Sequence, residues 1–252
     1  VLQREKNVKV FGQGTDGETV KVEILGKEYS TKVEKEKWTV TIPPMKAQDG
    51  LTMKVSCNGE NVLFEDVSVG EVWLAGGQSN MEFELQNCTG GSEVIAQGPN
   101  PKVRFYYTQK IAWMNEEFFE KEKETRWTLA SEEAVKQWSA VGYFFGNRLA
   151  NELGVTVGII GCNWGGTSAS AWMDRGSLEA DEDLKTYVDE YEAIIDGKTE
   201  EQQVKEYEDY LEYAEEWQKK ADACYAENPM IPWDEVQEIC GVCQWPGPMC
   251  CV

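Results

Sequence analysis

Ser79 and its neighbours are the part of this 252-residue chain best suited to chemistry. Residues 71–83 read EVWLAGGQSNMEF. The first five, rich in β-branched and aromatic side chains, predict a short buried strand. Gly76 and Gly77 break it, and the serine follows at once, flanked by Gln78 and Asn80. A serine on a tight turn after a buried strand is where hydrolases expose a nucleophile, with backbone N–H groups nearby to bind an oxyanion. A second stretch, GCNWGGTS at 161–168, follows another strand-like run at 155–160. Its glycine N–H groups can approach a small ligand closely, as an oxyanion hole requires. Taken alone each loop is weak, since Gly-Gly turns are common and a serine at a strand end is more often structural. Paired on strands of one inferred sheet, they should open on the same edge. A serine hydroxyl also needs a base, usually an imidazole, and this sequence contains no histidine.

The elements that must position these loops follow from periodicity. Residues 1–67 alternate like an antiparallel sheet: Val8 and Val10, then Val20, Val22 and Ile24, then Trp38, Val40 and Ile42, then Met53 and Val55. Turns at 12–17, 26–27, 43–44 and 58–59 punctuate the runs, and the pattern predicts a small β-sandwich domain over 1–67. From residue 68 the grammar becomes that of a parallel α/β sheet. Residues 71–75 and 103–107 read as strands, Ser131 reads as a helix cap, and a helical stripe follows from Val141 to Glu152 with Gly154 at its C-terminus. The glycine-rich turn at 161–167 leads into a further helix, SASAWM. Beyond it an acidic segment, about 178–239, predicts a helical hairpin. Leu184, Tyr187, Val188, Tyr191 and Ile195 form one stripe; Thr199 and Gln202 form a capping box; Val204, Tyr207, Leu211, Ala214 and Ala221 continue beyond it.

Composition bounds the rest. Net charge is −21, and residues 178–239 hold 21 acidic against 5 basic residues. A nucleic-acid partner is excluded on that balance, and no apolar run is long enough to cross a bilayer. Eight cysteines include four in the last thirteen residues, CGVCQWPGPMCC. Cys240, Cys243, Cys250 and Cys251 could form a zinc half-site pair, but adjacent cysteines rarely ligate one metal; reduced, partly buried thiols in a cytosolic protein are the reading adopted, with no metal and no cofactor. A secreted location is the alternative, since a trimmed start would hide a signal peptide.

At VLQREKNVKVFG, VGEVWLAGGQSNMEF and VTVGIIGCNWGGTSASAWM the chain resembles the sialate O-acetylesterase family, within the SGNH-type esterases. The three segments agree in order and span most of residues 1–175. The resemblance implies a β-sandwich followed by an SGNH-like α/β hydrolase domain over 68–252, and removal of acetyl esters from sugars through an acyl-serine without a metal. It implies Ser79 as nucleophile, with its own N–H in the oxyanion hole, and Gly166 or its neighbour Gly165 as the second oxyanion donor. The family also carries a further oxyanion block and a late Asp/His pair, and nothing after Thr167 matches either. The expectation is therefore a fragment whose parallel sheet is incomplete, inactive alone, poorly soluble, and partnered by a C-terminal half of the same protein. Loss of the base costs roughly 10⁴–10⁶ in turnover.

Substrate contacts are expected from Gln78, Asn80, Trp164 and Arg175. Of ten tryptophans, among them Trp113 and Trp172, Trp164 sits in the glycine-rich loop, where stacking on a sugar face competes with core packing. A sialic acid carboxylate calls for a cation, and of the five arginines Arg175 is best placed. A neutral acetylated sugar of the xylan type fits so acidic a chain as well. Two other readings stay open: a non-catalytic carbohydrate-binding or scaffold module, and a protein-interaction domain working through the acidic hairpin.

Overall fold

A computed structural model describes residues 1–110 and 116–243. It divides into two compact units, Val1–Gly166 and Thr167–Val252.

The first unit begins with β1 (Leu2–Gln3), β2 (Val8–Gln13), β3 (Thr19–Ile24), β4 (Lys27–Lys32), β5 (Lys37–Ile42), β6 (Gln48–Cys57) and β7 (Glu60–Gly77). Alternation does what it predicts here. Val20, Val22 and Ile24 face inward while Thr19, Lys21 and Glu23 stay wet, and β5 repeats the pattern with Trp38, Val40 and Ile42. Asn58 and Gly59 both take positive φ (48 and 86), the backbone of a tight hairpin turn between β6 and β7. β2 and β5 form a separate two-stranded ribbon, yet their Val8, Val40 and Ile42 share one buried cluster with Val20, Val22 and Val69 of the larger sheet. Each such side chain contributes about 1.5–3 kcal/mol on burial.

β7 is the spine of this unit. Its first part pairs antiparallel with β6, with register shifts between Gln48 and Met53, and its last seven residues pair parallel with β10 (Val157–Asn163). The boundary expected between 67 and 68 thus lies inside a continuous strand. The sheet runs β4-β3-β6-β7-β10-β8-β9, with β8 at Val103–Tyr107 and β9 at Thr128–Leu129, and β1 beside β7. The parallel sheet expected from the sequence is therefore mixed. β7, β10 and β8 are parallel, and so is the short pairing of β1 with β7, whereas β9 pairs antiparallel with β8 and β3, β4 and β6 pair antiparallel with their neighbours.

Between these strands lie α1 (Ser79–Glu82), α2 (Gly91–Ala96), α3 (Glu116–Glu124) and α4 (Ala140–Leu153). α4 starts later than expected. Ser131 Oγ accepts from Ala134 N–H, heading a short 3-10 turn, and Trp138 is extended. Ser139 is the true cap, its Oγ accepting from Gly142 N–H at 3.0 Å, and Gly154 closes the helix at φ +69. α4 packs on β8 and β10 through a core that includes Phe105, Tyr143, Val157 and Ile159. The strand placed at 155–160 runs instead over Val157–Asn163, so the second loop begins later than its glycine content suggests.

The second unit is helical: α5 (Arg175–Glu179), α6 (Lys185–Ile195), α7 (Glu200–Glu227) and α8 (Trp233–Cys240). The SASAWM helix shortens to a 3-10 turn, Ala169–Trp172. The Thr199–Gln202 capping box is present in both directions. Packing departs from the expected hairpin. Of the predicted stripe Leu211 is exposed while Ala221 is buried, and α7 packs Ala221 and Trp217, which the stripe did not include, against Val236 of α8, an element the sequence reading did not foresee. Trp217 Nε1 donates to Gly241 O at 2.6 Å and its ring meets Trp233 edge-on, which gives the contact its geometry.

Candidate active site

β7 and β10 end side by side, with Asn163 opposite Gly77 at the last rung of their parallel ladder. Both chemistry-bearing loops therefore leave the sheet at one edge. Gly77 turns the chain out of the strand at φ +148, which side-chain-bearing residues rarely adopt. Gln78 then caps α1: its Oε1 accepts from Ser79 N–H at 2.9 Å and from Ser79 Oγ at 2.7 Å. A carboxamide oxygen orients that hydroxyl but does not remove its proton. Ser79 itself is exposed.

The second loop is seated on the first by the Trp164 N–H, which donates to Gly77 O at 3.0 Å. Gly165 comes so close that a Cβ built on it would stand 3.5 Å from Ser79 Oγ and 2.9 Å from Glu82 Oε2. Its N–H donates to the Glu82 carboxylate, which also pairs with Lys110. Burial is the largest single influence on Glu82 and opposes its charge. Lys110 and the Gly165 N–H together outweigh it and hold the pKa below the ordinary glutamate value. Gly166 follows, exposed, at φ +82. Gly165 thus stands against the Ser79 hydroxyl, and the two loops bring the Ser79 and Gly165 N–H groups to its neighbourhood, two donors of the kind that hold a tetrahedral oxyanion. In this arrangement both N–H groups already have acceptors, Gln78 and Glu82.

Of the other expected contacts, Asn80 is exposed on α1, next to the serine, and Trp164 is half-buried in the second loop. Arg175, in the helical unit, has its guanidinium on Glu179 (2.6 Å) and on Glu192. Trp113, Cys250 and Cys251 lie outside the described residues. The described cysteines, Cys57, Cys88, Cys162, Cys224, Cys240 and Cys243, are free thiols, and no metal-binding cluster occurs among the described residues. No described helix is long and apolar enough to cross a membrane. Sequence reasoning missed Glu82, Lys110 and Asn163. Glu82 carried a signal, standing three residues after Ser79 where one helical turn brings side chains together. Lys110 is brought to the site by tertiary structure alone.

Comparison with known proteins gives the chain a family. The model of the family described as carbohydrate esterase, sialic acid-specific acetylesterase, matches residues 69–228. Sialate O-acetylesterase from Homo sapiens is 31% identical over 198 residues, covering 71% of this chain and 38% of that protein. The protein of the same name from Mus musculus is 30% identical over 203 residues, covering 71% and 37%. A solved carbohydrate acetylesterase from Xanthomonas citri superposes with a TM-score of 0.64 at 31% identity, covering 73% of this chain and 42% of that one. The chain therefore spans about two fifths of the length of the curated relatives it matches.

Proposed function

The chain belongs to the sialic acid-specific acetylesterase family of carbohydrate esterases, and from that premise we propose that it carries the nucleophile and oxyanion donors of a sugar O-acetylesterase. Ser79 Oγ attacks the acetyl carbonyl carbon as its proton passes to a base. The oxyanion is held by the N–H groups of Ser79 and Gly165, with Gly166 the neighbouring donor. The C–O bond to the sugar breaks, the sugar oxygen takes the proton, and water then releases acetate from the acyl-serine. No histidine is among these 252 residues, so the imidazole this scheme requires is contributed by a further segment, such as a C-terminal half of the same protein. The observation that carries the reading is the approach of Gly165 to Ser79 at the ends of two adjacent parallel strands.

An alkyl fluorophosphonate tests it. Mass spectrometry should find the adduct on Ser79, lost in Ser79→Ala, with labelling accelerated when exogenous imidazole or a histidine-bearing segment of a relative is supplied. No adduct under any of these conditions would overturn the esterase reading. A second reading, a carbohydrate-binding module without turnover, is favoured by one observation: side chains of the chain itself already occupy both N–H groups.

A further inference from the structure

We propose that a cleft beside Ser79 is a subsite for a neutral, hydroxyl-rich sugar ring, anchored by Asn163, and that it disfavours a sugar carboxylate. The proposal rests on the esterase reading and names its substrate class. The cleft encloses about 420 Å³, within the range of small-molecule sites, and its lining includes Asn163, Glu82, Glu84, Lys110, Tyr107 and Gln137. It adjoins the candidate nucleophile through two of these. Glu82 shares α1 with Ser79, and Asn163 is the ladder partner of Gly77.

Asn163 is the feature that points to a ligand. It is 3% exposed, and neither its carboxamide oxygen nor its nitrogen has a hydrogen-bond partner among the described residues. Buried polar atoms are nearly always paired, and two unpaired ones on a residue that lines a cleft call for a partner that the described chain does not supply. A carboxamide offers an acceptor and two donors, which together match adjacent sugar hydroxyls.

Charge then selects among sugars. The lining holds two carboxylates and one ammonium, and that ammonium, on Lys110, is already paired with Glu82. Among the described residues Glu84 accepts only from the amides of Gln86 (2.7 Å) and Asn87 (3.1 Å), with no cation among them. Hydroxyl groups can donate to it, whereas an incoming carboxylate meets like charge and no free cation on the described lining. The Tyr107 hydroxyl accepts from Ser139 N–H at 2.7 Å and is directed at Gln137 O, a bond that shapes the wall.

Calorimetric titration of the 252-residue chain tests this, with methyl 2-O-acetyl-β-D-xylopyranoside against the methyl glycoside of a 9-O-acetylated sialic acid. The xyloside is expected to bind at least about tenfold more tightly, and Asn163→Ala to weaken it by about tenfold. A residue without partners in the free protein adds no stability, so Asn163→Ala should melt at or above the wild-type temperature. A role confined to structure predicts a lower one. Glu84→Gln, at a half-buried position, provides a second variant and should narrow the preference against the sialoside. Equal or tighter binding of the sialoside overturns the proposal, as does an Asn163→Ala protein that folds and binds normally. Ser79 labelling without sugar binding also overturns the subsite and leaves the esterase reading intact. Sugar binding without Ser79 labelling does the reverse.

Discussion

Gly165 is where one methyl group should matter most. An alanine Cβ would lie 2.9 Å from Glu82 Oε2 and 3.5 Å from Ser79 Oγ, so the carboxylate end must move and the N–H with it. Displacements near 1 Å at a reacting centre cost up to about 10²-fold. Gly165→Ala is expected to slow fluorophosphonate labelling of Ser79 by roughly 10–100-fold while leaving the fold intact, as judged by circular dichroism. Unchanged labelling would remove Gly165 from the oxyanion site. Glu82 gives a pH dependence with a definite sign. Its pKa is depressed in the folded chain, so its contribution to stability is present above the unfolded value and disappears as pH falls through the folded one. With both partners more than a third exposed, solvent screening limits the pair to about 1 kcal/mol or less. Urea titrations should find Glu82→Gln slightly less stable than wild type at neutral pH and equal to it in acid. A difference that grows on acidification would reverse the assignment.

Capping decides the start of α4, and here two serines can be compared. Ser139 is fully buried and supplies the cap to Gly142 N–H, while Ser131 heads only a 3-10 turn on the surface. Ser139→Ala should destabilise the chain by about 1–2 kcal/mol, and Ser131→Ala by less than about 0.5 kcal/mol. Chemical denaturation of the two variants measures both, and equal losses would return the cap to Ser131. The reason sequence inspection favours Ser131 is instructive. Ser131 stands ahead of Glu132 and Glu133 as a cap would, but Trp138 is extended and its ring stacks on Phe105 of β8 at 4.6 Å between centroids, a contact that local sequence does not announce. α7 shows the same competition. Its capping box is local and legible, whereas the face it buries was decided by α8.

At the scale of the whole molecule, the parallel segment of β7 is an exposed edge. Among the described residues, 71–77 pair with β10 on one side only; Leu74 is 68% exposed, and Trp73, whose ring meets Phe145 edge-on, is exposed as well. Such edges invite self-association. Light scattering at rising concentration should show the wild-type chain associating and Leu74→Lys shifted toward monomer; a wild type that stays monomeric contradicts this. The alternating strands, the Asn58-Gly59 turn, the Thr199 cap, the acidic helices and the two glycine-rich loops are all legible in the residues alone, because each is set by periodicity or backbone preference within a few residues. Tertiary structure alone decided that β10 inserts between β7 and β8, that β7 continues through the expected boundary, and that Glu82, Lys110 and Asn163 meet beside Ser79. Those outcomes depend on pairing between segments some 80 residues apart, where the free energy lies in long-range burial and ladder register, and no local pattern encodes which partner wins.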